Sequence, residues 1–127
     1  MRTVSVFAAA LILAAAVAAV GVEDPHGIGY DGHDWTAMSE QAKRAYVAGF
    51  LAGAIAQQAL ESRRRATGAS VEAAVAGITR THSATFPFGA SVYKTVLDDY
   101  YFYRDNLPVR IYRALIERNT AMLKGSR

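Results

Sequence analysis

The sequence predicts an all-α domain, one long central helix packed by two or three shorter helices, behind an N-terminal export signal. Three observations carry that prediction. The stretch from Ala45 to Leu60, AYVAGFLAGAIAQQAL, is almost wholly apolar or small and lies between charged ends. Further on, apolar residues recur at three- and four-residue spacing, the helical period, and no segment alternates as a half-buried strand does. With no cysteine, neither disulfides nor thiolate metal sites are available, so the fold must be held by packing.

The chain opens with Met1 and Arg2, then runs from Val4 to Val20 through residues that are apolar except for Ser5. One positive charge, an Ala-rich core and small residues at its end make a secretory signal peptide. Ala19 and Gly21 supply the small residues for cleavage after Gly21, so residues 1–21 are assigned to the signal and the protein to the periplasm or the exterior. The run is slightly short of the ~20 residues of a membrane span. If it is not cleaved, the protein becomes a membrane-anchored accessory subunit, and only then does it meet a membrane.

Residues 22–34 read as an irregular segment, because VEDPHGIGYDGHD is dense in turn formers. Its Asp24, His26, Asp31, His33 and Asp34 are of types that ligate Zn²⁺ or Cu²⁺, which keeps a periplasmic metal-binding protein as an alternative. Gly27-Ile28-Gly29-Tyr30-Asp31-Gly32 matches a dinucleotide fingerprint by letter only, since no strand precedes it and no helix opens from it. No cofactor and no metal are assigned.

The helical domain spans residues 35–124. Ser39 caps a helix running to about Ala66, with Glu40 in the first turn and Arg63, Arg64 and Arg65 in the last, as the helix dipole favours. Gly68 follows as a stop signal. Ala42, Ala45, Gly49, Gly53 and Ala56 form a stripe without bulk, expected to admit a close helical neighbour. A second helix starts at Ser70, with Val71, Ala74, Val75 and Ile78 on one face. Pro87 and Gly89 interrupt the pattern, with an extended piece at residues 86–88. Ser91 is expected to cap a third helix facing Val92, Val96, Leu97 and Tyr100 inward, the repeated Gly-Ala-Ser-Val at 68–71 and 89–92 being one capping solution used twice. Residues 104–106 form a turn, Pro108 suits a first helical position, and Ile111, Tyr112, Leu115, Ile116 and either Met122 or Leu123 continue at helical spacing to Gly125.

Two segments carry a resemblance. Trp35-x-x-Met38-Ser39 through Lys43, Tyr46, Gly49 and Phe50, and Asp99-Tyr100-Tyr101 through Asn106-Leu107-Pro108-Val109, resemble motifs of small exported bacterial proteins of unknown function. The layout is similar to that of Tai-type immunity proteins of type VI secretion. That resemblance implies a helical periplasmic inhibitor of a protein effector.

Catalysis finds little to build on. There is no thiol nucleophile and no G-x-S-x-G elbow. His82-Ser83 are mere sequence neighbours, and Asp98-Asp99 point about 100° apart on a helix. Fourteen Lys and Arg against eleven acids give a net charge of +3, too small an excess for nucleic acid. Arg63–Arg65 read as a solvated helix end. The richest composition is Tyr93, Tyr100, Tyr101, Phe102, Tyr103 and Arg104. Consecutive aromatics on a helix cannot all face one core, and exposed aromatics beside an arginine are what protein interfaces favour. Tyr103 and Arg104 are therefore the candidate binding residues, with Trp35 as a third, in a non-catalytic binding protein of the cell envelope.

Overall fold

The structure, a computed structural model, describes residues 26–66 and 68–126. The export signal, its cleavage after Gly21 and Asp24 lie outside those residues. The described chain is all-helical: α1 (Gly32–Ala37), α2 (Glu40–Arg65), α3 (Val71–Arg80), α4 (Ala90–Phe102), a 3-10 turn (Arg104–Asn106) and α5 (Ile111–Gly125). Among the described residues there is no strand, and only an isolated bridge joins Asp31 to Arg110. Residues 86–88 are accordingly not a strand.

The first helix begins inside the segment whose composition reads as irregular and extends beyond it to Ala37. Asp31 and Asp34 build it as a capping box: Asp31 Oδ1 accepts from the His33 backbone N–H at 2.8 Å, and Asp34 Oδ2 accepts from that of Asp31 at 2.9 Å. Asp31 and Asp34 of the supposed metal cluster are thus engaged in starting the helix. No group of three or more candidate ligands gathers among the described residues. The long helix has the expected ends. Ser39 accepts from the Ala42 N–H, Glu40 opens the first turn, three arginines close the last, and Gly68 adopts φ +103°.

Several expectations change in the folded chain. The long helix is not wrapped on all sides: Ala42, Ala45, Gly49, Gly53 and Ala56 are exposed, and a Cβ added at Gly49 or Gly53 would meet nothing within 4 Å. Only one face of α2 is covered, because its bulky residues, Tyr46, Val47, Phe50 and Leu51, share that face and offer far more apolar area than the small stripe. The central element is α4, which touches α1, α2, α5 and the 3-10 turn. No helix among the described residues is long and apolar enough to cross a membrane.

The register of α4 is turned from the expected one. Tyr93, Leu97 and Tyr101 are buried, Tyr100 is only half-buried, and Val92 is 44% exposed. Aromatic burial decides this. Tyr93 packs edge-on to Phe86 and Phe88, and its hydroxyl donates to Asn119 Oδ1 at 2.7 Å, while the Tyr101 hydroxyl donates to the Val109 carbonyl at 2.9 Å. Each ring is buried with its polar tip satisfied, which a valine-led register would not achieve.

The repeated Gly-Ala-Ser-Val is used in two ways. Ser70 caps α3 through the Ala73 N–H, whereas Gly89, not Ser91, occupies the cap position of α4. In the second copy Phe88 is already anchored on Tyr93, so the helix starts earlier. Pro108 likewise lies in a turn closed by the Val109 N–H on the Asn106 carbonyl, at 2.9 Å. Helix α5 waits until Ile111, whose N–H is taken by the Tyr30 carbonyl at 2.9 Å.

The core gathers Trp35, Val47, Tyr93, Leu97, Tyr101, Ile111, Ala114 and Leu115, from four helices. Beyond it, Asn119 donates to the Thr85 carbonyl at 2.9 Å, and the Gln58 amide donates to the Ser83 carbonyl at 2.7 Å while accepting from Thr85. These bonds pin the loop after α3. His82, in that loop, takes φ 51°. It is the left-handed residue of a Schellman cap, with the Ser83 N–H on the Ile78 carbonyl and its own on that of Thr79.

Candidate partner-binding surface

Helix α4 stops at Phe102 because Asn106 reaches back. Its side-chain amide donates to the Tyr100 carbonyl at 2.7 Å, satisfying an acceptor that the helix leaves open. Tyr103 then turns extended (φ −86°, ψ 119°) and the 3-10 turn begins at Arg104. The break throws two rings outward. Phe102 is 80% exposed and Tyr103 65%, and they meet edge to face at 5.5 Å between ring centres. Arg104 is exposed beside them. Apart from that mutual contact, the two rings leave most of their apolar surface in water.

Behind this ridge lies an open cavity of about 520 Å³, lined by Val96, Asp99, Tyr100, Tyr103, Asn106 and Arg118. Arg118, on α5, lays its guanidinium over the Tyr100 ring at 5.1 Å, and its buried Nε has no hydrogen-bond acceptor. Sequence reasoning missed this residue, though a signal existed. Arg118 occupies the same helical stripe as Ile111, Leu115 and Met122, where a charge calls for a partner. No family model, no curated protein and no solved structure matches the chain. The surface must therefore be read from its own chemistry.

Trp35 does not join it. The indole is 1% exposed, in the core between α1 and α4, at 6.4 Å from the Tyr101 ring. Its Nε1–H donates to Asp98 Oδ1 at 2.9 Å. The reason is volume: the chain's one tryptophan lies beside the capped end of α1, where it fills the gap between that helix, Tyr101 and the start of α2. Trp35 is thus a packing residue, and a binding role for it is withdrawn.

Asp98 turns out to be the centre of a charge network that the sequence did not reveal. Lys43 reaches it from α2 at 3.1 Å and Lys94 from the preceding turn of α4 at 2.7 Å. Both lysines also pair with Glu40, Lys43 at 3.4 Å. Lys43 stands 5.4 Å over the Trp35 ring as well. Partial burial pushes the Asp98 carboxyl up, but the hydrogen bonds from Lys94, Lys43 and Trp35 outweigh it and hold the group below its usual range. Lys94 and Lys43 draw Glu40 down, and Lys94 is raised by its bonds to Asp98 and Glu40. Such mutual satisfaction describes a latch between helices. Asp99, exposed and turned to the cavity, takes no part in it. Nor do His82 and Ser83 form a base and nucleophile, since the Ser83 hydroxyl pairs with that of Thr81 at 2.8 Å.

Proposed function

We propose that this chain is a non-catalytic, exported binding protein of the cell envelope whose protein partner docks on the ridge of Phe102, Tyr103 and Arg104. The observation that carries the reading is the outward pair of rings at the end of α4, set beside a cavity with an unpaired arginine. Tyrosine and arginine are the residues that most often anchor interfaces, and truncating such an anchor costs about 2 kcal/mol or more of binding. An immunity-like inhibitor of a toxic effector is the concrete form supported by the motifs from Trp35 to Phe50 and from Asp99 to Val109. Export is supported by the apolar run ending in Ala19-Val20-Gly21; N-terminal sequencing of protein recovered from the envelope should begin near Val22.

The decisive experiment is the double variant Tyr103→Ala with Arg104→Ala. Both side chains are exposed, so circular dichroism and the melting temperature should stay within the small range of surface changes. Capture of the partner from envelope extract should be lost. Undiminished capture by the folded variant would remove this surface from the function.

A further inference from the structure

We infer that the cavity behind Tyr103 is a carboxylate subsite, filled by an aspartate or glutamate side chain of the protein that docks on the Phe102–Tyr103 ridge. The inference rests on the docking surface proposed above and adds the chemistry of what that surface receives. Arg118 carries it in three ways. It occupies the inward stripe of α5, where a cation seldom stays without a counter-charge. Its Nε is closed from water and has no acceptor, so a ligand entering the cavity meets the guanidinium through its outer Nη groups. The Tyr100 ring, 5.1 Å away, holds the guanidinium plane in place.

A planar, pre-positioned guanidinium is the side chain best suited to take a carboxylate by two parallel N–H bonds. The chain's own acids do not fill that role. Glu117 is bound to Arg113 at 2.8 Å, and Asp99 lines the same cavity but forms no ion pair with Arg118. About 520 Å³ is ample for an acidic side chain and its neighbours. Val96 and the tyrosine rings offer a wall for its methylenes, and Asn106 has an amide hydrogen beyond the one spent on Tyr100. Asp99 acts against the ligand by like-charge repulsion. Removing its charge should therefore strengthen binding, a sign opposite to that of every other change in the cavity.

The test uses the purified full-length chain, labelled with ¹⁵N, and three probes: the blocked tripeptides acetyl-Ala-Glu-Ala-amide and acetyl-Ala-Gln-Ala-amide, and sodium acetate. The glutamate peptide should shift the Arg118 Nε–H and Tyr103 amide signals saturably, binding roughly tenfold more tightly than the glutamine peptide or acetate. Arg118→Met should abolish the shift at Tyr103, Arg118→Lys should weaken it, and Asp99→Asn should tighten binding. Equal responses to glutamate and glutamine overturn the proposal, as does binding that survives Arg118→Met. Acetate binding as tightly as the peptide shows a site for any small anion and equally overturns it. Should Arg118→Met fail to fold, Asp99→Asn decides alone, since Asp99 is exposed: unchanged or weaker glutamate binding refutes the subsite. A failed titration alongside lost partner capture in the Tyr103/Arg104 variant refutes the carboxylate chemistry only. Retained capture in that variant refutes the docking surface itself.

Discussion

Removing the Asp98 carboxylate is the sharpest perturbation of the fold, because one group serves three partners on three helices. In Asp98→Ala the Trp35 Nε1–H, in a residue 1% exposed, loses its only acceptor and cannot reach water. A buried donor left unpaired costs about 1–3 kcal/mol, and a hydrogen bond to a charged group contributes about 1.5–3 kcal/mol. Relief of the carboxylate's own desolvation offsets part of this, and Glu40 continues to hold both lysines. The net loss should be about 2–4 kcal/mol, and with a urea slope near 2 kcal/mol/M the unfolding midpoint should fall by roughly 1–2 M. Trp35 is the chain's only tryptophan, so its emission reports both the transition and the site. Asp98→Asn keeps an acceptor for the indole while discarding the charge, and should cost distinctly less. If Asp98→Ala unfolds at the wild-type midpoint with unchanged slope, the latch contributes nothing and the reasoning fails.

Other perturbations separate tight from open parts of the fold. A Cβ at Gly32 would come within 2.7 Å of the Leu107 Cα, which is backbone and cannot step aside, so Gly32→Ala should destabilise by about 1–3 kcal/mol or more; an unchanged melting temperature would contradict that packing. Gly53→Ala meets open space within a helix and should instead stabilise by about 0.8–1 kcal/mol; a lower melting temperature would reveal a neighbour on that face. Asp98 and Glu40 are held below their ordinary 3.8 and 4.5, so their contribution is present above those values and lost as pH falls through the lower folded ones. Lys94 is held above its ordinary 10.5, so its contribution is full below that and lost as pH rises past it. Melting temperatures should therefore hold between about pH 5 and pH 10 and fall on the acid side below about pH 4; a constant value down to pH 3 would show the network to be inert.

Local signals were legible in the sequence where the physics is local. Ser39, Glu40, the arginine trio and Gly68 fixed α2 because caps and dipoles act within a turn or two. The Asp31-to-Asp34 capping box was equally local and readable, but its glycine-rich surroundings suggested a loop. Tyr103 and Arg104 were identified correctly as exposed because four consecutive aromatics cannot share one face. What failed depended on distant chain. The small stripe of α2 has the pattern of a contact in sequence, although burial goes to whichever face carries more area. The turn of α4 hinged on hydroxyl partners at Asn119 and Val109, and the position of Trp35 on an acid 63 residues away. Arg118 lay in plain view on an apolar stripe, yet its stacking on Tyr100 needs the packing of α4 against α5.

The bonds that join the first described residues to the start of α5 have a consequence for how the chain is made. Gly32 gives its N–H to the Leu107 carbonyl at 2.8 Å, Tyr30 offers its carbonyl to Ile111, and Arg110 reaches the Gly29 carbonyl. Helix α1 has six residues, too few to persist alone in water, and its tryptophan finds its acceptor only on α4. A chain emerging from the ribosome thus carries an unfinished first helix until residue 111 has appeared. Closing so long a loop is paid for late, when α5 brings Ile111, Ala114 and Leu115 to the core at once. Any machinery that must hold this polypeptide extended can act until residue 111 has emerged.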